Sequence, residues 1–465
     1  MSMRVKKIVL LSALILCCGG VSAQEAAQLD LEQCRTLALE HNRKVQMAQL
    51  DAVASDYLVK SAKTKYLPRI DFVGGWVNPG DRALQPFAFN FDVPGLLPQG
   101  LAMPMDFLSV APEQIFTGGF VLRQPIFLGT KIVQANKIAS SLSNIAHEEV
   151  ILKQADVIGR VDTAYWRVIS VQEKVQLAKA YKALLDRLAN DLENIYQEGI
   201  ITRNELLRVQ VKQNEVALSL VKAENGLQLS RMALAQLLGM DEANLVLSSA
   251  VISEQELIPR LELLAEQKGD QRVEIAMLND KLKSTQALKA MVKSQFLPNV
   301  FLTAGYVWAT PNIYKGSQHN FGGDWAIGIG VRVPLFTWGD RIYQTRMAEQ
   351  KVQQAKLELA EAQELIALQI KRDQFQYSEA LKKIELTKLS VQQAAENLRV
   401  VQNTLDEGMK STKDILEAQA MWERASSDNI DARIEAATAL SELEKSTGAL
   451  YQYIEQHNNS QQKQK

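Results

Sequence analysis

The side chains that could carry catalysis are few and scattered. His41, His147, His319 and His457 stand too far apart for any metal-ligand spacing, and no glycine-rich phosphate loop or nucleophile motif occurs. Of three cysteines, Cys17 and Cys18 lie in an N-terminal leader, and Cys34 alone supports neither a disulfide nor a thiolate metal site. What remains is placed charge. Asp414 and Glu417 are three apart, so they share one face of a helix that begins shortly after Gly408. A helix start favours carboxylates through its dipole, and two solvated acids satisfy that position alone. Glu205 occupies the matching place in the first half of the chain, but Arg208 stands where Glu417 would fall. Arg123 and Arg332 sit in segments of alternating polarity, on the side opposite the apolar residues, where they face water inside a closed sheet or anchor near its interface. These patterns point away from an enzyme and call for no cofactor or metal; they suit a surface that conducts or binds.

The leader is legible. Arg4, Lys6 and Lys7 precede the apolar run Ile8 to Cys18 and then Val21-Ser22-Ala23, a secretory signal over residues 1–23. Leu16 before Cys17, and Cys18 before Gly19, are poor contexts for a lipid-modified cysteine. Removing those three basic residues from 52 leaves 49 against 53 acidic ones, too near neutrality to imply nucleic acid. No later apolar run approaches the ~18 residues of a spanning helix. Insertion into a membrane therefore requires a β-barrel.

Two kinds of segment position the charges. From Trp325 to Phe336 the chain alternates, with Trp325, Ile327, Ile329, Val331, Val333 and Leu335 on one side, which predicts a strand with one wholly apolar face. Beyond Gly339 the period turns helical, without proline or glycine until Gly408. That is a rod of about 67 residues, on the order of 100 Å at ~1.5 Å per residue. The first half reads the same way. Helix 29–65 ends at Tyr66-Leu67-Pro68, strand one carries Ile70, Phe72 and Trp76 on one side, and strand two runs from Phe116 to Phe127. A helix from Thr130 to Gln197 follows, with a heptad-like seam through Ile158, Val161, Tyr165, Val168, Leu185 and Leu192. Shorter helices are expected at 204–238, 261–295 and 412–446, and strands at 299–309 and 325–336. Between the first two strands, 78–115 holds six of twelve prolines and large apolar residues from Phe87 to Leu108, the makings of a partial lid.

At a shift of 209 residues Arg123 falls on Arg332, Pro125 on Pro334, Glu198-Gly199 on Glu407-Gly408 and Gly239 on Gly448. The chain is a tandem duplication: 24–250 is the first repeat, 251–450 the second and 451–465 a polar tail. Two strands per repeat make four, and four strands leave open edges that lipid does not tolerate. Closure takes at least about eight, so several chains must share one barrel. A secreted or surface coiled coil would explain the seams but not four apolar-faced strands inserted at matched places.

The leader, the two halves, the Leu-Pro helix ends, the glycine turns and the segment Asp414-Ile415-Leu416-Glu417 together resemble the TolC-type outer membrane efflux proteins, over nearly all of the mature chain. The resemblance implies a predominantly α fold with long coiled-coil helices in a periplasmic α-barrel, and four strands per chain in a shared twelve-stranded β-barrel of a homotrimer. It implies an exit duct in the cell outer membrane, serving tripartite efflux or type I secretion. A periplasmic adaptor and an inner-membrane pump of the RND, ABC or MFS type would pass substrate into it, with outer membrane lipid around the barrel and no nucleic acid. By the same resemblance Asp414, Glu417 and Glu205 ring the periplasmic entrance, and Lys410 helps to hold it closed. Gly199, Thr202, Gly408 and Ser411 mark the turns that an adaptor grips, and Arg123 and Arg332 face the lumen.

Overall fold

Asp30 opens the first helix as a capping residue should. Its carboxylate accepts from Gln33 N (2.7 Å) while the Gln33 side chain accepts from Asp30 N (3.1 Å). The computed structural model describes residues 29–78, 114–242, 245–247, 272–310, 321–406 and 411–462. They form α1 (Leu31–His41), α2 (Arg43–Thr64), β1 (Arg69–Val77), β2 (Ile115–Leu128), α3 (Lys131–Gln197), α4 (Arg203–Leu238), α5 (Val273–Ser294), β3 (Asn299–Thr310), β4 (Gly322–Arg332), α6 (Asp340–Asp406), α7 (Thr412–Thr447) and α8 (Ala449–Gln462). The proline-rich stretch expected as a lid lies almost wholly outside the described residues.

The two long helices are each 67 residues, and both ends repeat at the shift read from sequence, Lys131 to Asp340 and Gln197 to Asp406. Four expectations change. The helix expected over 261–295 begins at Val273, after Arg272, whose backbone is extended (ψ 137°). The helix expected over 29–65 breaks at Asn42, whose backbone is extended (ψ 122°). Asn42 N–H donates to Ala38 O (2.9 Å) and its side-chain amide to Leu237 O (3.0 Å), so a tertiary bond to the end of α4 outweighs helix continuation. β4 stops at Arg332 rather than 336, because Pro334 has no N–H to donate to a ladder. Its counterpart Pro125 leaves a bulge in β2, where the register to β3 shifts between Pro125 and Phe127. Finally, the tail over 451–465 is mostly helix: in α8, Tyr451 and Ile454 are buried.

Two compact units result, each drawn from both halves of the sequence. The first comprises Met1–Arg43, Asp156–Glu266 and Asp373–Glu444; the second comprises Lys44–Ala155, Gln267–Arg372 and Lys445–Lys465. In the first, the seam of α3 forms the core: Ile158, Val161, Tyr165, Val168 and Leu185 are all fully buried. Beside it Arg35 Nε and Nη2 donate to the two oxygens of Asp162 (2.8 and 2.6 Å), a buried fork that ties α1 to α3. Burial alone would lower the Arg35 pKa, but Asp162, Glu444 and Glu32 more than reverse that, so it stays charged. Burial, with the fields of Asp30 and Asp162, pushes the neighbouring Cys34 thiol up to about 12, so it packs as a neutral group.

The second unit holds the sheet. All four strands run antiparallel in the order β1-β2-β3-β4. Register puts Phe72 beside Phe120 and Phe120 beside Tyr306, and the rings of Phe72, Phe120, Tyr306 and Trp308 lie 5.5–6.3 Å apart on one face. That face is uncovered: Ile70, Phe72, Trp76, Trp325, Ile327, Ile329 and Val331 are each more than half exposed. The other face carries Val121 and Thr303, both buried, with Arg69, Asp71 and Arg123. Elsewhere in this unit Arg272 pairs with Glu274 and donates to Gln369 Oε1 (3.0 Å), and Tyr451 Oη donates to Glu274 Oε1 (3.1 Å). The buried apolar side of α8 is thus fastened to α5.

Replacing Asp162 by Ala leaves the buried Arg35 guanidinium only its longer contacts to Glu32 (3.6 Å) and Glu444 (3.7 Å) and should cost about 3 kcal/mol. The pair Arg35→Met with Asp162→Leu should recover most of it. Thermal melting of the helical signal in detergent checks the ordering, and equal losses in the single and double variants would refute it.

Candidate channel entrance

One apolar cluster in the first unit gathers the ends of four helices. Leu188, Ala189 and Leu192 of α3, Leu206 and Val209 of α4, Leu398 and Val401 of α6, and Ile415 and Ala418 of α7 are all buried together. The last turns of α3 and α6 and the first turns of α4 and α7 therefore lie at the same end of that unit.

In the first turn, Gly199 is left-handed (φ +73°). Its N–H donates to Tyr196 O (2.9 Å) and Ile200 N–H to Ile195 O (3.2 Å), the paired bonds of a Schellman motif. A Cβ at Gly199 would meet nothing within 4 Å, so backbone conformation, not space, selects glycine. Thr202 caps α4 by backbone only, with no side-chain bond. Glu205 is half-buried and Arg208 exposed.

The second turn is built differently. Gly408 and Lys410 lie outside the described residues. Ser411, exposed at the start of α7, donates through both N–H (3.0 Å) and Oγ (2.9 Å) to Asp414 Oδ2. Asp414 thus closes the helix start. Glu417, one turn on, is exposed. The sequence signal for this role was present in the Ser411 to Asp414 spacing. Ile200, more than two-thirds exposed at the tip of the first turn, was not singled out; an apolar residue beside the turn glycine was its signal.

The two arginines of the sheet separate. Arg123 lies opposite Arg69 and Thr303 in mid-sheet, half-buried, while Arg332 is exposed at the sheet's last rung, opposite Asn299. Arg69 is neutralised by Asp71 (2.7 Å), which relieves its like-charged neighbour. Farther along the first unit, ion pairs link helices: Lys174 to Asp431 (2.6 Å), Lys179 to Glu224 (3.2 Å) and the half-buried Arg433 to Glu173. Each crosses between helices remote in sequence, which no local pattern announces.

An antiparallel sheet with an exposed aromatic and aliphatic face, joined directly to 67-residue helices, defines a subunit of an outer-membrane channel. Residues 35–240 and 264–449 match the outer membrane efflux protein family, and the chain belongs to it. It is 22% identical over 410 residues to the outer membrane protein TolC of Vibrio cholerae, covering 87% of this chain and 86% of that protein. It is 22% identical over 357 residues to the alkaline protease secretion protein AprF of Pseudomonas aeruginosa, covering 74% and 72%. Its fold matches the crystal structure of the Campylobacter jejuni CmeC outer membrane channel with a TM-score of 0.73 at 17% identity, over 90% of this chain and 85% of that one. The protein is an outer membrane exit duct for efflux or secretion.

The two turns should respond differently to substitution. Gly199→Ala should cost about 1 kcal/mol locally through its left-handed backbone, and Ser411→Ala about 1 kcal/mol through the lost Oγ bond to the Asp414 carboxylate. Thr202→Ala should cost only a few tenths, since that side chain caps nothing. Hydrogen exchange at the turn amides measures each opening energy, and a Thr202→Ala loss equal to that of Ser411→Ala would contradict the assignment.

Proposed function

We propose that three copies of this chain close a twelve-stranded barrel and a periplasmic helical duct, entered at the α3–α4 and α6–α7 turns, where an adaptor docks an inner-membrane pump. The carrying observation is the sheet itself. Among the described residues β1 and β4 each have one unpaired edge, and the face that meets lipid is apolar from Ile70 to Val331. Open edges in hydrocarbon leave N–H and C=O groups unsatisfied at several kcal/mol each, so copies must share the barrel. A second stripe agrees. On α4, Leu207, Val211, Leu218, Val221, Leu229 and Met232 are all exposed at helical spacing, a seam that wants another helix.

On this reading Asp414, Glu417 and Glu205, repeated by symmetry, make the entrance cation-attracting, and Thr202 with the glycine turns offers the adaptor its grip. Protein secretion as well as small-molecule efflux is supported by the likeness to AprF, whose printed role is alkaline protease secretion. A pore-free coiled-coil scaffold accounts for the seams but leaves the lipid-suited sheet face without purpose.

Purified protein should run as a heat-modifiable trimer and open discrete conductances in planar bilayers. A water-soluble monomer that opens none ends the reading. Within the working channel, Asp414→Asn with Glu417→Gln should weaken block by multivalent cations several-fold, and unchanged block would remove both from the entrance.

A further inference from the structure

Where strands meet helices, the second unit combines uncovered apolar side chains with an excess of positive charge. Four connections converge on this end of the sheet: α2 into β1, β2 into α3, α5 into β3, and β4 into α6. They are packed together, since Asn136 Nδ2 donates to Ala62 O (3.1 Å), Gln124 Nε2 donates to Tyr66 O (2.9 Å) and Lys289 pairs with Glu349 (2.6 Å). Over residues 57–71, 128–140, 285–299 and 331–350 there are eleven Lys and Arg against three Asp and Glu, in a chain of net charge −1. Concentration of that degree at one level asks for an anionic partner.

Three further features say which. First, Lys63, Lys65, Lys131, Lys137, Arg341 and Arg346 are exposed, and among the described residues no carboxylate pairs with any of them. Helix dipoles explain Lys63 at the end of α2, but Lys131 and Arg341 open α3 and α6, where the dipole disfavours positive charge. Second, the apolar face of the sheet does not stop at the last rung. Leu335, Phe336 and Trp338 are 91%, 72% and 87% exposed, and Leu67 is also exposed. Third, Trp338 holds a left-handed backbone (φ 50°) that a tryptophan rarely adopts, with its ring edge-on to Phe336 at 4.7 Å between centroids. The left-handed pair Trp338-Gly339 recurs at Gly129 and Thr130 in the matching turn, so the turn sets the backbone, while the solvent-facing ring among cations suits a medium that is half apolar and half anionic.

We propose that this junction binds the anionic glycerophospholipid headgroups of the leaflet on the helix side of the barrel, with Trp338 and Phe336 seated at the acyl boundary and the lysines and arginines on the phosphates. The proposal rests on the reading of the chain as a membrane barrel, and adds to it a lipid preference. Charge attraction supplies the selectivity, and the aromatic ledge fixes the depth.

The full-length protein is reconstituted into phosphatidylcholine vesicles with or without phosphatidylglycerol, and the midpoint of heat-induced trimer dissociation is measured at low and high salt. Wild type should gain several degrees from phosphatidylglycerol, and lose most of that gain in high salt. The combined variant Lys63→Gln, Lys65→Gln, Lys131→Gln, Arg341→Gln should keep the midpoint seen in neutral vesicles but lose most of the gain. Trp338→Gly, which relieves the left-handed strain, should keep its midpoint in detergent and lose part of the gain. Equal gains in wild type and the combined variant would overturn the proposal. So would a variant that changes only the ion selectivity of the pore, since the charges would then face the lumen. Failure of the wild type to insert would instead bring down the channel reading itself.

Discussion

Backbone hydrogen bonding in a medium without water is the constraint from which the rest follows. A strand in hydrocarbon must find a partner on both sides, and the described residues of this chain supply four strands. The alternation of large apolar residues along β1 and β4 is chemically sensible only beside lipid, and the two edges make a lone copy unstable there. The helices answer a different need. Their apolar stripes are narrow, buried on one side within the chain and exposed on another, as Val161 and Leu218 illustrate. Such rods pack laterally with copies of themselves and can enclose a space without a solid core.

Much of this was readable from residue order, and the reasons differ by element. The long helices were legible because nothing interrupts them: no proline or glycine lies between Asp340 and Asp406. Strand faces were legible because a two-residue period survives wherever one side is lipid and the other water. At the glycine turns the duplication gave helix ends to within a residue or two, since Gly199, Gly239 and Gly448 are turn glycines with positive φ. The early end of β4 lay in Pro334 itself, but the break after α1 and the fold of the tail depended on contacts distant in sequence. Nothing local in His41-Asn42-Arg43 predicts a break; the amide needs Leu237, which only the folded chain brings near. Tyr451 looked like part of a polar tail until Glu274 and Arg272 were found beside it.

The candidate entrance was half legible. Spacing placed Asp414 and Glu417 on one helical face, but it could not tell that Ser411 occupies one Asp414 oxygen. The two halves therefore keep a common backbone plan with different chemistry at their turns: a side-chain cap in one, a bare backbone cap in the other. A hairpin with its first turn fastened opens less readily than one without. The inequality belongs to the sequence, Ser411 and Asp414 against Thr202 and Glu205, and survives whatever surrounds it.

The order of the sheet also dictates how such a chain can be made. β2 must pair with β3, yet the whole of α3, α4 and α5 lies between them in sequence. During synthesis and export, β1 and β2 emerge as an apolar hairpin long before their neighbour exists, and the last edge waits for other copies. Closure of that kind is slow and nonlocal, so the sheet can be completed only after most of the chain has been made.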